Sequence, residues 1–291
     1  MKQYPPDKIR NIGVIGSGAV GKTSLCEALL FKAGAVTRQG KVLEGNTTSD
    51  YDPEEIKRKI SIHSTLLPFD WKENKINLID VPGYIDFIGE ALAALRVVDG
   101  LIVVVDAVSG YGSALETLWK IANKYDLPRI IVINKLDKPQ ADFDQVLENL
   151  RAKFGHEIVP VEIPCGEGLH DLLKPEAPAE LQEAAALYKE MLIEGMAEVD
   201  DTILAEYLDG KEITEAELKE TLKKAINADK IIPVFCASAF KNLGIAELLD
   251  ELIEWLPPAN EHPPAGIKPE INEPFCGFVF KTVSEPHIGN L

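Results

Sequence analysis

The fold of this chain is decided by one stretch, Gly16-Ser17-Gly18-Ala19-Val20-Gly21-Lys22-Thr23. An apolar run at residues 12–15 precedes this stretch, and Ser24 and the helix-prone residues 25–30 follow it. The context predicts a strand, a tight loop and a helix. The pattern G-x-x-x-x-G-K-[ST] binds phosphate in that context, because the loop backbone and the first N–H groups of the helix surround the same anion. Residues 16–24 are therefore the first candidate ligand site.

Two side chains carry the chemistry expected of this loop. Lys22 would neutralise charge on the β- and γ-phosphates, and the Thr23 hydroxyl would be one ligand of a Mg²⁺ ion that bridges them. The glycines would let the backbone approach the phosphates closely. The alternative is a glycine-rich turn that matches the pattern by chance, which the flanking strand and helix signals disfavour.

Composition and charge limit the classes of protein to which this chain could belong. The chain has 291 residues and a net charge of −17, so broad binding to the phosphate backbone of DNA is not expected, although a local contact with RNA is compatible with it. The N-terminus lacks a secretory signal and no apolar run is long enough to span a membrane, which predicts a cytoplasmic protein without a membrane partner. The four cysteines and five histidines are scattered, so no metal cluster built from them is expected.

Strand and helix patterns alternate along most of the chain. Apolar strands are predicted at 75–80, 100–106, 129–133 and 231–235, with helices at 87–98, 113–125, 143–154 and 245–256. This alternation predicts an α/β fold with a doubly wound, mostly parallel sheet and a ligand at the carboxyl ends of its strands. Residues 35–64 read as an irregular loop, and loops of that length are usually functional or mobile.

A second motif, Asp80-Val81-Pro82-Gly83, ends the strand at 75–80. Asp80 could hold the magnesium shell through water, and the Gly83 N–H could bond a γ-phosphate oxygen. Loss of that phosphate would then free the loop. The motif is weak alone, but its position about sixty residues after a phosphate loop strengthens the interpretation.

The third motif, Asn134-Lys135-Leu136-Asp137, follows the strand at 129–133. The Asp137 carboxylate could accept two hydrogen bonds from the N1–H and the exocyclic amine of guanine, a donor pair that adenine lacks. Asn134 would brace the pocket and the stem of Lys135 would lie over the purine. The dipeptide Ser238-Ala239, after the strand at 231–235, would form the second wall for the base.

The chain after residue 157 departs from the alternating pattern. Residues 158–163 could be a strand and 165–178 read as a loop, and helices are predicted at 179–199 and 214–227, the second opened by a capping box at Thr214 and Glu217. This acidic block reads as an insertion. Proline is frequent at 257–272, which indicates a linker, and 275–280 predicts the first strand of a second, β-rich domain.

These motifs together resemble the G domain of bacterial elongation factor G, the resemblance resting on residues 8–13, the phosphate loop, 80–87, 95–100 and 134–137. Residues 274–281 resemble the start of that family's β-barrel second domain. The resemblance implies a P-loop GTPase domain at 1–258 with an insertion at about 156–230, a linker at 259–272 and a truncated start of domain II at 273–291. It further implies GTP or GDP and Mg²⁺ as ligands. The implied partners are the ribosome and its stalk protein. The implied oligomeric state is a monomer.

Three positions bear on how the resemblance is interpreted. Ser61 stands where the family usually has the threonine that binds Mg²⁺ in the GTP state, and serine keeps the hydroxyl. Tyr84 stands where a histidine orients the attacking water, and Ala19 stands where the phosphate loop usually has an aspartate. Phenols ionise near pH 10 and are poor general bases at neutral pH. The catalytic residues would be Lys22, Gly83 and Tyr84, in a paralogue whose hydrolysis is slow or differently triggered.

Two alternatives stay open from the sequence. One is a GTP-dependent module that stays bound to a ribosomal or assembly partner with little turnover, which Tyr84 and Ala19 favour. The other is an ATP-using phosphate-loop enzyme such as a small-molecule kinase, which Asp137 disfavours. A preference for ATP over GTP in a competition assay would support the second.

Overall fold

The computed structural model describes residues 2–174, 177–209, 213–261, 263, 267–270, 272–285 and 289–290. A seven-stranded sheet forms its centre, with the strand order β2-β3-β1-β4-β5-β9-β6. Every neighbouring pair in this sheet is parallel except β2 and β3, which are antiparallel. The predicted α/β class with a mostly parallel, doubly wound sheet is confirmed.

The strands of the large sheet are β1 (Ile9–Ile15), β2 (Thr65–Trp71), β3 (Asn74–Asp80), β4 (Gly100–Asp106), β5 (Arg129–Asn134), β6 (Ile158–Pro160) and β9 (Ile232–Cys236). Two small antiparallel pairs join β7 (Glu162–Cys165) to β8 (Gly168–Asp171) and β10 (Ser284–Glu285) to β11 (Gly289–Asn290). The helices are α1 (Lys22–Lys32), α2 (Pro53–Arg58), α3 (Ile88–Ala94), α4 (Ser113–Lys124), α5 (Phe143–Phe154), α6 (Gln182–Ala197), α7 (Asp201–Leu208), α8 (Glu215–Asn227) and α9 (Ile245–Trp255).

Burial along the strands follows their place in the sheet. All residues of β4, β5 and β9 are buried, as expected of parallel strands that are covered on both faces. Strand β2 lies at an edge, and its residues alternate between buried and exposed over most of its length. The carboxyl ends of the central strands are thereby held rigidly against one another, which fixes the positions of the loops that follow them.

The first difference from the sequence prediction lies between β1 and β3. Residues 35–64 were expected to be irregular, but they contain α2, and strand β2 follows at an edge where no strand was predicted. Helix α2 has only six residues, too few to show helical periodicity. Its sequence signal is the capping box formed by Asp52 and Glu55, with proline at the first helical position.

The second difference lies in the predicted insertion at about 156–230. Residues 158–163 form two strands instead of one: β6 pairs with β9 in the main sheet, and β7 pairs with β8 in the segment expected to be a loop. Helix α7 was not predicted, whereas the capping box that opens α8 at Thr214 and Glu217 is present. Residues 175, 176 and 210–212 of this segment lie outside the described residues, and the insertion's boundaries stay a prediction.

The third difference is at 275–280, which forms no strand in the described chain. Phe275 is 99% exposed and Val279 is 80% exposed, and no strand among the described residues pairs with this segment. The Arg96 guanidinium lies 4.2 Å from the centre of the Phe278 ring. Residues 262, 264–266 and 271 of the predicted linker, and 286–288 and 291 of the predicted domain II start, lie outside the described residues. Those two assignments stay predictions.

No helix within the described ranges is long and apolar enough to cross a membrane.

Candidate functional site

The phosphate-loop candidate connects β1 to α1, and two of its glycines, Gly16 and Gly21, are sterically required. Gly16 has φ of 147°, and a Cβ there would lie 2.4 Å from the Val104 carbonyl oxygen. Gly21, the residue before α1, has φ of 97°, in the region that favours glycine. A Cβ on Gly18 would lie 2.6 Å from the Tyr84 ring. The loop is therefore a cradle of bare backbone at the N-terminus of a helix, as phosphate binding needs.

Lys22 lies at the floor of this cradle. Its side chain is buried, and its Nζ donates a hydrogen bond to the Ser17 carbonyl oxygen at 2.9 Å. Burial lowers the pKa of the ammonium, while the negative charge of Asp80 opposes that effect. Gly83 packs directly on this lysine, because a Cβ on Gly83 would lie 2.1 Å from Nζ. A phosphate oxygen would supply the anion that a buried ammonium requires.

A cluster of hydroxyl groups surrounds Asp80 beside Lys22. Thr23 Oγ1 donates to Asp80 Oδ2 at 2.8 Å, and Ser49 Oγ donates to the same oxygen at 2.9 Å. Ser61 Oγ lies 3.0 Å from Thr23 Oγ1. The other oxygen of Asp80, Oδ1, is buried without a hydrogen-bond partner. Burial raises the pKa of Asp80, opposed by the charge of Lys22 and by these hydroxyl groups.

Asp50 adds a second buried carboxylate that the sequence analysis missed. It is 4% exposed, and neither of its carboxylate oxygens has a hydrogen bond of good geometry within the described residues. Burial raises its pKa to about 6; the nearby Ser61 hydroxyl opposes that rise and the charge of Asp80 adds to it. Carboxylate and hydroxyl oxygens whose lone pairs are free are the usual ligands of a hard divalent cation such as Mg²⁺. The residues present therefore fit Mg²⁺, although the described chain holds no cluster of three or more His, Cys, Asp or Glu side chains for a metal.

The motif at 134–137 forms the other end of the site. Asn134 is buried, and its Nδ2 donates to the Val20 carbonyl oxygen at 3.2 Å while its Oδ1 accepts from the Ala239 N–H at 3.0 Å. This one amide therefore joins the phosphate loop to the loop after β9. Ser238 Oγ donates to Asp137 Oδ1 at 2.6 Å, which orients the carboxylate toward the cleft wall.

Lys135 joins the phosphate loop to the end of β4 at the surface of the cleft. Its Nζ donates to the Ala19 carbonyl oxygen at 2.7 Å and to Asp106 Oδ2 at 2.6 Å. Burial raises the pKa of Asp106, but the hydrogen bond from Lys135 and two backbone N–H donors outweigh it and lower the pKa below its ordinary value. Lys135 itself has φ of 70°. Asp106 was not among the predicted site residues, although its position at the end of β4 could have indicated it.

One open cleft of about 430 Å³ collects most of the predicted residues. It is lined by Gly18, Ala19, Gly21, Lys22, Thr23, Ser24, Ser61, Gly83, Tyr84, Asn134, Lys135, Asp137 and Ala239. The other five predicted residues are buried behind this lining: Gly16, Ser17, Val20, Asp80 and Ser238. Tyr84 is 39% exposed and lies at the mouth against Gly18. The structure therefore brings the three motifs into one site.

Two buried glutamates that the sequence analysis also missed hold the 35–64 segment over this cleft. Glu27 of α1 accepts hydrogen bonds from the N–H groups of Gly40 at 2.8 Å and Thr48 at 2.5 Å. Glu55 of α2 accepts from the N–H groups of Ile62 and His63, each at 3.0 Å. These carboxylates fix the backbone on both sides of Asp50 and beside Ser61. Such long-range contacts could not be predicted, because they leave no local pattern in the sequence.

The comparisons with known proteins agree with one another on the family of this chain. Residues 7–258 match the family model described as the elongation factor Tu GTP binding domain. Elongation factor G of Thermotoga maritima is 40% identical over 317 aligned residues, covering 98% of this chain and 46% of that protein. Elongation factor G of Thermotoga neapolitana matches with the same identity and coverage. A solved structure of a Thermus thermophilus protein superposes with a TM-score of 0.85 at 32% identity, covering 98% of this chain and 44% of that one.

The chain thus spans about half the length of the curated relatives that it matches. The resemblance to elongation factor G is confirmed by these matches.

Proposed function

This chain belongs to the elongation factor Tu GTP binding domain family, and on that premise we propose that it is the GTP-binding and GTP-hydrolysing region of an elongation factor G-like translation factor that acts on the ribosome. One observation carries the proposal. A single cleft of about 430 Å³ has Lys22, Thr23 and Ser61 at one end and Asp137 at the other. This arrangement suits a ligand with a polyphosphate at one end and a guanine base at the other.

Selection of the base falls to Asp137. Its carboxylate can accept hydrogen bonds from the N1–H and the exocyclic amine of guanine, and Ser238 holds one of its oxygens in place. Adenine offers an acceptor at N1, so it would leave the carboxylate unsatisfied. Asn134 and the N–H of Ala239 keep this wall fixed, with the stem of Lys135 beside the plane of the base.

Residues 16–24 would bind the phosphates, and Thr23, Ser61 and Asp80 would bind the metal ion. Lys22 would neutralise phosphate charge, and the backbone N–H groups that begin α1 would point at the phosphates. Bound Mg²⁺ would supply charge neutralisation and orientation of the phosphate oxygens. Asp50 is an additional carboxylate for its hydration shell, because both of its oxygens are unpartnered in the described chain.

Hydrolysis would depend on Lys22, Gly83 and Tyr84. The Gly83 N–H is the donor expected to meet the γ-phosphate, and its close contact with Lys22 ties the two residues together. Tyr84, at the mouth beside Gly18, can offer a hydroxyl to orient a water molecule, but a phenol is a weak general base at neutral pH. Slow hydrolysis that needs a partner to position the water follows from this chemistry.

The proposal extends to partners because relatives that match 98% of this chain are elongation factor G. The whole protein would meet the ribosome and its stalk protein as a cytoplasmic monomer. The acidic segment after β6 would be the surface that meets the stalk.

A second candidate function is a GTP-held binding module with little turnover. The observation that favours it is the position of Tyr84 against Gly18 in the phosphate loop, because a phenol is a weak general base at neutral pH. Ala19, also in the cleft, contributes no charge there. The two candidates share the nucleotide site and differ only in the rate of hydrolysis.

The deciding experiment is a competition assay of GTP, GDP, ATP and xanthosine triphosphate against a fluorescent guanine nucleotide, using the native chain and Asp137→Asn. The native chain should prefer GTP to ATP. Asp137→Asn should lose at least about 100-fold in GTP affinity and gain affinity for the xanthosine nucleotide, whose carbonyl oxygen at C2 accepts from the new amide.

The matched control is Asp70→Asn on the exposed face of β2, which should leave all affinities unchanged. A native chain that prefers ATP would refute the guanine assignment. Single-turnover hydrolysis by the full-length parent, with and without ribosomes and with Tyr84→His alongside, then separates the enzyme from the binding module.

A further inference from the structure

Three consecutive basic residues end α2 and the turn after it, and they differ in their partners. Lys57 Nζ lies 3.6 Å from Glu54 Oε1, and Arg58 Nε donates to Glu54 Oε2 at 2.9 Å. Lys59 is exposed and makes no ion pair or side-chain hydrogen bond within the described residues. Lys57 and Arg58 thus share the one carboxylate of Glu54 on the helix surface, whereas Lys59 is available for a ligand.

The backbone at Lys59 explains why it is separated from its neighbours. It is the C-terminal cap of α2 with φ of 57° and ψ of 39°, and its N–H donates to the Glu55 carbonyl oxygen. This left-handed conformation is disfavoured for lysine and natural for glycine. The turn takes the chain off the helix axis, so Lys59 lines the ligand cleft together with Ile60 and Ser61.

The charges already in the cleft give Lys59 a chemical role. Lys135 is paired with Asp106 at 2.6 Å, and Lys22 lies buried on the cradle floor. Lys59 and Lys138 are the exposed lysines of the cleft that have no ion pair within the described residues. Lys138 follows Asp137 at the base end, so Lys59 is the one of the two that adjoins the phosphate end. It is two residues from Ser61, whose hydroxyl meets Thr23, so its backbone lies on the side of the cleft where the terminal phosphate would sit.

We propose that Lys59 is a phosphate-binding residue that contacts the terminal phosphate of the bound nucleoside triphosphate. The inference rests on the proposed function, because it takes the ligand of the cleft to be GTP. An ammonium on a flexible stem binds phosphate as a point charge, and it would distinguish a triphosphate from a diphosphate by the additional negative charge. Binding would also hold the turn after α2 over the cleft.

The test compares the affinities of a non-hydrolysable GTP analogue and of GDP for four forms of the chain: native, Lys59→Gly, Lys59→Arg and Lys57→Ala. Glycine adopts the left-handed turn without strain, so Lys59→Gly removes the charge and keeps the backbone. The ratio of triphosphate to diphosphate affinity should fall roughly tenfold in Lys59→Gly, the effect of one charge contact at a partly solvated site.

Lys59→Arg should keep a ratio close to the native one, and Lys57→Ala should be unchanged because its partner is Glu54. The difference between native and Lys59→Gly should shrink in high salt, since solvent-exposed charges are screened. GDP binding by each variant shows that it is folded.

A ratio in Lys59→Gly within twofold of the native value would overturn the assignment. Failure of the native chain to bind either guanine nucleotide would overturn the proposed function and this inference together. Normal binding with an unchanged ratio would overturn the role of Lys59 alone, so the two failures are distinguishable.

Discussion

The two ends of the cleft differ in how far their polar groups are satisfied without a ligand. At the base end, the Asn134 amide uses both its donor and its acceptor, and the Asp137 carboxylate already accepts from Ser238. At the phosphate end, both oxygens of Asp50 and one of Asp80 are buried without partners. The base end is thus preformed, whereas the phosphate end holds buried carboxylate oxygens that a bound cation would satisfy. Unpartnered buried charges cost stability, so nucleotide and metal should stabilise this protein mainly through the phosphate end.

The largest effect on the free protein should come from breaking the preformed end. Asn134→Ala would leave the Val20 carbonyl and the Ala239 N–H without their partner inside a buried contact. We expect the free energy of unfolding to fall by about 2–3 kcal/mol, as measured by urea denaturation without nucleotide.

The control for that measurement is Asn227→Ala at the exposed C-terminal end of α8, which should change the same free energy by less than about 0.5 kcal/mol. Equal, small losses in the two variants would contradict the view that the base end is held together before any ligand binds.

At the phosphate end, we expect a substitution to raise the free energy of unfolding instead of lowering it. Burial raises the pKa of Asp50 to about 6 in the folded protein, against about 3.9 for an unperturbed aspartate. The folded state therefore binds more protons than the unfolded state between these two values, and its stability falls as the pH rises from about 4 to 6. Above pH 6 the ionised carboxylate is destabilising in the absence of a cation.

Asp50→Asn should therefore stabilise the nucleotide-free protein at pH 7.5, on the order of 1–2 kcal/mol after allowance for solvent screening. It should also flatten the pH dependence of stability between pH 4 and 6. With Mg²⁺ and GTP present, the native protein should be more stable to unfolding than Asp50→Asn. Chemical denaturation at several pH values measures both effects, and Asp70→Asn on the exposed edge of β2 is the matched control. A destabilised Asp50→Asn at pH 7.5 without ligand would contradict the comparison.

The same contrast separates what the sequence could predict from what it could not. The three motif loops each follow a parallel strand, and the register of β1, β3, β4 and β5 places the ends of these strands side by side. Motif order and strand context were therefore sufficient to predict that Lys22, Asp80 and Asp137 belong to one site. Continuous apolar strands such as β4 also predicted the central parallel strands of the sheet.

The phosphate end is completed by Asp50, in the 35–64 segment, and by Glu27 of α1, which holds that segment. In both cases the local sequence pattern carries little information. Asp50 is recognised only by its burial, and Glu27 only by the backbone N–H groups that reach it from Gly40 and Thr48. Such contacts join residues far apart in sequence through loop geometry, which no periodicity encodes. Strand β2 was missed for a related reason, since an edge strand with Pro68 and Asp70 has a weak apolar signal.

The smallest expected effect concerns the one described link between the 35–64 segment and the base end. Gln39 Nε2 donates to the Ala239 carbonyl oxygen at 2.7 Å, and its Oε1 accepts from Asn242 Nδ2 at 2.8 Å. Gln39→Ala removes both bonds at a partly solvated site, so dissociation of a fluorescent GDP analogue should accelerate roughly two- to fivefold. Arg38→Ala, at the exposed neighbouring position, should leave that rate unchanged. If the Gln39 variant instead changes only the triphosphate's dissociation rate, the link belongs functionally to the phosphate end, and the two ends of the cleft are coupled through this loop.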